Sequence, residues 1–346
     1  MTSEPRETTR ILLIRTSALG DIVHCLPALR ALREHLPQAR IGWVVEEVFA
    51  PLLTRDPDLD QVLTVRARQW RKSLLSPRTW RDIRSTLRRI RDFDADVVLD
   101  LMGNHKAGVL AALSWCDRRI GLERRLRREP SSALWLSESV TTKRPHAVDH
   151  ALAVAAGLGA STGFQGFARE KVLAAAAHVD VPERGDYAVI HPGAAWANKR
   201  YPTKSWGAVA AELARHTGWK ILISTGPGEE DLADELVRSS EGTAEPASAN
   251  SLPSLIALLA GSRLVLGGDT GPLHLAHALA VPTVFVHGPT DPVASGPYGA
   301  PERAIWHQLP CSFCHRVFSE VKPCLLNLPP ARIVERALEV AKAAIS

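Results

Sequence analysis

Three loops of this chain combine residue types able to hold an anion. The first is Arg15-Thr-Ser-Ala-Leu-Gly-Asp21-Ile-Val-His24. A glycine beside a helix start offers free backbone N–H groups, and Asp21 at that N-terminus also suits an ordinary helix cap. The second is Gly267-Gly-Asp269-Thr270-Gly271-Pro-Leu-His274-Leu-Ala-His277. Its Pro272 fits the first turn of a helix, whose unpaired N–H groups form a cradle for a diphosphate, with His274 about one turn further on. A plain glycine turn with a capping Asp or Thr is the rival reading; glycines, hydroxyl and imidazole together favour the ligand. The third is His191-Pro-Gly-Ala-Ala-Trp-Ala-Asn-Lys199-Arg200-Tyr-Pro202. A cation there can neutralise a leaving diphosphate, as a metal does in some enzymes, although Lys199 alone reads as a solvated side chain.

The elements that must carry these loops alternate in type. Ile11–Ile14, Ile41–Val45, Val62–Val65 and Val97–Leu101 read as strands, with helical spacing over Asp21–Leu36, Val48–Leu53, Thr79–Asp92 and Ala107–Leu113. The second half repeats the design. Its strands are Tyr187–His191, Lys220–Ser224, Leu264–Gly267 and Thr283–His287, and its helices Lys204–His216, Glu229–Ser239, Leu252–Ala260 and Pro272–Leu279. Strand alternating with helix predicts α/β architecture, with parallel, doubly wound sheets covered on both faces. All three loops then follow strands, where such sheets bind ligands. The boundaries read as 1–165 for a first domain, 186–328 for a second, and 329–346 for a last helix, Pro330–Ile345; the linker holds Gly159, Gly163, Gly166, Pro182 and Gly185.

Composition narrows the class. With 45% hydrophobic residues in 346, the chain can bury two cores of ordinary size, so disorder and a disulfide scaffold are excluded. No apolar run is long enough to span a bilayer, and the polar start MTSEPRETTR lacks a signal-peptide pattern, so a cytoplasmic location is expected. The net charge of +5 is unevenly spread: residues 1–150 hold 26 Lys+Arg against 19 Asp+Glu, and residues 151–346 hold 16 against 18. Arg66–Arg91 contains ten cations against Asp82 in its helical part, and Arg118–Arg128 six against Glu123. Only 9 of the 42 basic residues are Lys, and arginine's planar fork suits phosphate and carboxylate. The first half is therefore expected to meet an anion. The absence of G-x-G-x-x-G and of a phosphate loop with its Lys counts against a nicotinamide dehydrogenase and against nucleotide hydrolysis.

The joint order S-A-L-G-D, H-P-G…N-K-R-Y-P, and D-T-G-P-x-H followed by Gly288-Pro-Thr-Asp291 resembles the lipopolysaccharide heptosyltransferase family, glycosyltransferase family 9. It is most similar to the branch that adds the first heptose of the inner core. Gly42–Glu47, Arg68-Gln-Trp70-Arg71-Lys72, Asp100–Lys106, Arg128-Glu-Pro130 and His146-Ala-Val148 fit as well, so the likeness covers most of the chain.

The resemblance implies a GT-B fold of two Rossmann-like domains, an acceptor-binding one before a nucleotide-sugar-binding one, with the active site in the cleft between them and the last helix packed back on the first. It implies an inverting glycosyltransferase that needs neither cofactor nor metal. Asp21 matches the general base, which must be ionised before attack. Lys199 matches the residue that binds the donor diphosphate; Asp269, Thr270, Gly271 and His274 match the donor loop; and Glu229 matches a carboxylate that holds the adenosine ribose. The donor implied is ADP-heptose. The acceptor implied is a lipid A carrying keto-octulosonic acid (Kdo), at the cytoplasmic face of the inner membrane, with Arg68, Arg71, Lys72, Lys106 and Arg128 as its contacts.

Two features depart from the pattern. Ala194 and Ala195 stand where this branch usually has hydroxyl residues, which leaves the backbone or Asn198 to make those donor contacts. Cys311, Cys314, His315 and Cys324 have the ligand types of a Cys3His zinc site, but adjacent Cys314 and His315 rarely share one ion, and inert core thiols are the expectation. The Cys311–His315 spacing also matches haem attachment, which belongs to exported proteins. A different class, a basic nucleic-acid-binding protein, is disfavoured because aromatics are only 5% and do not recur through the basic helix as a series for base stacking.

Overall fold

The structure is a computed structural model that describes residues 8–181 and 185–343. Pro182 of the expected linker and Ile345 of the last expected helix lie outside these residues. The chain divides into two compact units, Met1–Phe167 and Ala168–Ser346.

The first unit is built on six strands: β1 (Arg10–Ile14), β2 (Arg40–Glu46), β3 (Gln61–Val65), β4 (Val97–Asp100), β5 (Arg119–Leu122) and β6 (Glu138–Val140). They form one parallel sheet in the order β3-β2-β1-β4-β5-β6, with Ile14 paired to Val44 on one side and to Asp100 on the other. β1 is apolar on both faces because both are covered, and Ile11–Ile14 are fully buried. Helix Leu19–His35 packs against helix Ala147–Ala156, while Leu12, Ile14 and Val44 pack with Ile90 and Phe93 of the Arg-rich helix region.

The second unit repeats the plan with β7 (Tyr187–His191), β8 (Lys220–Ile223), β9 (Ala244–Pro246), β10 (Leu264–Gly268), β11 (Thr283–His287) and β12 (Ala304–Trp306). Its order, β12-β11-β10-β7-β8-β9, is the same winding. In each sheet the chain reverses direction once, beside β1 in the first and β7 in the second. A crevice opens at that reversal, beyond the carboxyl ends of β1 and β4, and of β7 and β10.

β5, β6, β9 and β12 were not foreseen from the sequence. They hold three or four residues each, and β5, β6 and β9 include Arg, Glu, Gly or Pro, so none is long enough to show the apolar run of a central strand. The expected linker contains a helix, Arg169–Ala174, whose Arg169 Nε donates to Leu279 O at 2.9 Å, so this segment is part of the second unit. Helix Pro330–Ala343, expected on the first domain, packs against helix Thr203–Thr217 and β11 and buries Ile333, Val334 and Ala337 in the second unit's core. No helix among the described residues is long and apolar enough to cross a membrane.

Candidate active site

At the reversal of the second sheet, the loops after β7 and β10 bring Lys199 and Asp269 together, with Lys199 Nζ 2.8 Å from Asp269 Oδ2. The other carboxylate oxygen meets His274 Nε2 at 2.9 Å, and Ser295 Oγ donates to Oδ2 at 3.2 Å. Asp269 and His274 are buried. Burial works to raise the Asp269 pKa, but the His274 hydrogen bond and the charge of Lys199 outweigh it and hold the carboxyl well below its usual range. Asp269 is therefore a fixed anion that aims two other side chains. The Lys199 ammonium also lies 5.2 Å from the centre of the Trp196 ring, a favourable cation–π arrangement.

Thr270 is the N-cap of helix Gly271–Ala278, yet its hydroxyl caps nothing and is buried without a hydrogen-bond partner. The N–H groups of Leu273 and His274 return to Thr270 O, whereas Gly271 at the first helical position has no carbonyl within the helix to bond. An unpaired hydroxyl beside an open helix start is an anion cradle with its donors in place. His287, which ends β11, is fully buried and pushed down to about 4, chiefly by desolvation.

Glu229 is the N-cap of helix Glu230–Ser239, one residue outside the helix expected from the sequence. Its carboxylate accepts from Gly226 N–H at 2.9 Å and lies 3.7 Å from Arg200 Nη2. A Cβ on Gly193 would stand 2.0 Å from Glu229 Oε2, so the glycine after β7 is what lets this side chain reach the loop. Asn198 does not replace the missing hydroxyls. Its amide donates to Arg316 O at 2.8 Å and accepts from Phe318 N–H at 3.2 Å, which anchors a distant loop, and the Ala194 carbonyl is held by Arg200 Nε. The two Asn198 pairings join residues more than a hundred positions apart and leave no local sequence signal.

In the first unit, Asp21 occupies the first turn of helix Leu19–His35 and accepts from Ala18 N–H at 3.1 Å. Arg15 Nη2 lies 2.6 Å from the same oxygen. The Arg15 guanidinium is largely buried, which opposes its charge, but the nearby negative groups, Asp21 foremost with Asp100 behind it, together outweigh this and keep it above its usual range. Asp21 thus caps and pairs while its side chain stays 38% exposed, open to a substrate proton.

The expected acceptor residues are partly assembled. Glu46, buried at the end of β2, meets Lys106 Nζ at 3.3 Å and accepts from Arg68 N–H at 2.9 Å. Glu46 was not singled out from the sequence; an acid closing the apolar run Ile41–Val45 is the signal that could have found it. Arg71 and Lys72 are exposed and make no ion pair with any described residue. Arg128 is exposed too, while its neighbour Arg127 forms a buried 2.5 Å ion pair with Asp100 at the end of β4. Glu129 ties the Arg128 loop to the start of the Lys106 helix, accepting from His105 N–H at 2.8 Å.

Cys311 and Cys314 are not the core thiols expected from the sequence: both are exposed, on the loop after β12, and Cys324 is half-buried. No three His, Cys, Asp or Glu side chains among the described residues are arranged to hold a metal ion. His315 instead packs edge-on against Trp196, with ring centres 5.4 Å apart.

Residues 83–324 match the model of glycosyltransferase family 9 (heptosyltransferase). The chain is 32% identical over 312 residues to lipopolysaccharide heptosyltransferase 1 of Pseudomonas aeruginosa, a match covering 88% of this chain and 86% of that protein. Among solved structures it is similar to Escherichia coli heptosyltransferase WaaC with ADP, at a TM-score of 0.80 and 27% identity over 96% of this chain and 100% of the other. The same enzyme with ADP-2-deoxy-2-fluoro heptose gives 0.78 and 28%, over 96% and 99%. With the GT-B pair of parallel sheets and the donor-type loops of the second already described, the chain belongs to glycosyltransferase family 9, the heptosyltransferases, and is a glycosyltransferase.

Proposed function

We propose that this enzyme moves heptose from ADP-heptose to the Kdo sugar of a lipid A acceptor in lipopolysaccharide core synthesis, with inversion and without a metal. The observation that carries the reading is the Lys199–Asp269–His274 constellation beside the open helix start at Thr270. It offers one cation, one unpaired hydroxyl and backbone N–H groups to a diphosphate. The WaaC structures that hold ADP and a fluorinated ADP-heptose support this donor class.

In the reaction, an acceptor hydroxyl oxygen attacks the anomeric carbon as its bond to the ADP phosphate oxygen breaks. The hydroxyl proton passes to the Asp21 carboxylate, and the electron pair of the broken bond leaves with ADP. Lys199 and the helix N–H groups stabilise the charge growing on the diphosphate. Arg15 holds Asp21 in place. Glu229, at the carboxyl end of β8, hydrogen-bonds the ribose. Arg68, Arg71, Lys72, Lys106 and Arg128 bind the acid and phosphate groups of the acceptor, and that lipid acceptor places the enzyme at the cytoplasmic face of the inner membrane.

ADP release in the presence of both substrates tests the reading. Wild type should release ADP only with the acceptor, and Asp21→Asn should lose roughly 100-fold or more in rate, the usual weight of a general base. No acceptor-dependent release with ADP-heptose overturns the substrates; a variant that keeps most of the rate overturns the base. Release with another nucleotide sugar instead would identify a different member of the family.

A further inference from the structure

One surface of the first unit is unlike the rest. Between the short helix Ala67–Trp70 and the Arg-rich helix Pro77–Asp92, Leu75 is fully exposed, Leu74 is 50% exposed and Trp80 52%. This is a built shape rather than a frayed loop. The Trp80 indole N–H donates to Leu74 O at 2.8 Å, Ser73 Oγ and Thr79 Oγ1 lie 2.9 Å apart, and Ser76 caps the helix by accepting from Arg78 N–H. The segment therefore holds three large apolar side chains out in water.

Arg71, Lys72, Arg78, Arg81, Arg84 and Arg88 surround this knuckle, all exposed and none in an ion pair with a described residue. Nearby Arg66 is different, since Glu47 holds it. Six uncompensated cations beside an exposed Leu-Leu-Trp tip match the two parts of an anionic bilayer, headgroup charge outside and apolar chains below. A nucleic acid would use the charge but has no place for Leu74 and Leu75, and a folded protein partner would not require so uniform a sign.

We infer that the Ser73–Trp80 knuckle is a membrane anchor, which inserts Leu74, Leu75 and Trp80 between anionic lipids while the flanking arginines and Lys72 hold their headgroups. This deepens the membrane-face placement in the proposed function and rests on it only for the side of the membrane.

The test is co-sedimentation of the full chain with vesicles that contain no acceptor. Wild type should bind vesicles of phosphatidylglycerol with phosphatidylcholine and not phosphatidylcholine alone. Leu75→Ser, on a fully exposed side chain, should fold normally and bind roughly tenfold more weakly, as expected for removing one inserted apolar side chain. Arg78→Gln and Arg81→Gln should each weaken binding roughly fivefold, the effect of one charge at an anionic surface. Trp80 fluorescence should shift to the blue on binding. With the acceptor in the same vesicles, Leu75→Ser should slow transfer; with the acceptor dispersed in detergent, it should match wild type. Wild type that ignores anionic vesicles, a Leu75→Ser variant that binds them as wild type does, or equal retention on RNA at the same salt would overturn the anchor. Vesicle binding as described, together with no transfer to any acceptor, would leave the anchor standing and defeat the proposed reaction.

Discussion

Lys199 and Asp269, from the loops after β7 and β10, share a 2.8 Å ion pair whose acid is also fixed by His274. The carboxylate is fully occupied and buried, so it has little left for a ligand. The ammonium is not, because one partner and the face of Trp196 leave it N–H groups to donate. On this geometry Asp269 fits a positioning residue, and Lys199 is the member of the pair with N–H groups left to offer an anion.

Lys199→Met should therefore lower kcat/KM for the donor roughly 100- to 1,000-fold, the usual cost of removing one preorganised partner of a developing anion. Asp269→Asn should lose nearly as much. The double variant should lose little more than Lys199→Met, because the acid acts through the lysine. Steady-state kinetics of the three proteins check this; strictly additive losses would give Asp269 an independent role.

Gly193 and Glu229 make a cleaner pair. Only the far end of the Glu229 side chain occupies the space of a Cβ on Gly193. Gly193→Ala should push the carboxylate away from Gly226 N–H with little loss of fold stability. Donor KM should rise about tenfold, the weight of a charge-assisted hydrogen bond, with kcat nearly unchanged, and Glu229→Gln should move it the same way. A Gly193→Ala enzyme with wild-type KM would remove Glu229 from donor binding.

How much of this was legible beforehand follows from the range of each interaction. Asp21, Lys199, Asp269 and His274 could be picked out because glycines and strand ends lie next to them in sequence. The sheet order could be expected in outline because apolar β-branched runs mark central strands. The pairings could not: Lys199 with Asp269, Gly193 with Glu229, Asn198 with Arg316, and Arg127 with Asp100 are set by which strands become neighbours. A charge in a sequence has no partner until the fold supplies one. Leu75 likewise looks like any core leucine until its surroundings are built.

Arg127 and Asp100 show the same logic in the first unit, where both side chains are essentially inaccessible to solvent. Asp100 also accepts from Met102 N–H and Gly103 N–H, so the pair fixes the turn after β4. Arg127→Ala should destabilise the first unit by about 3–5 kcal/mol, since it leaves a buried acid without its counter-charge. Urea unfolding is the measurement; a loss below about 1 kcal/mol, the range of an exposed pair, would mean that water reaches Asp100.

The buried imidazoles predict how the enzyme responds to acid. His287 is held near 4 in the fold, mainly by desolvation, against an ordinary value of 6.5. An unfolded chain takes up that proton below about pH 6.5, whereas the folded protein refuses it until about pH 4. Stability is thus fully present above pH 6.5 and falls with pH down to about 4, by an order-of-magnitude 3 kcal/mol for this one group. His191, also lowered by burial, adds in the same direction. The depressed Asp269 acts later, since its contribution is present above the usual carboxylate range, near pH 4, and lost only below it. Thermal melts between pH 7.5 and 4.5 should show the melting temperature sliding in wild type. His287→Phe, of similar size and unable to titrate, should flatten that slide whatever its absolute stability. Parallel profiles for the two proteins would mean that His287 is protonated as readily in the fold as in the unfolded chain, and the acid sensitivity would then belong to His191 and its neighbours.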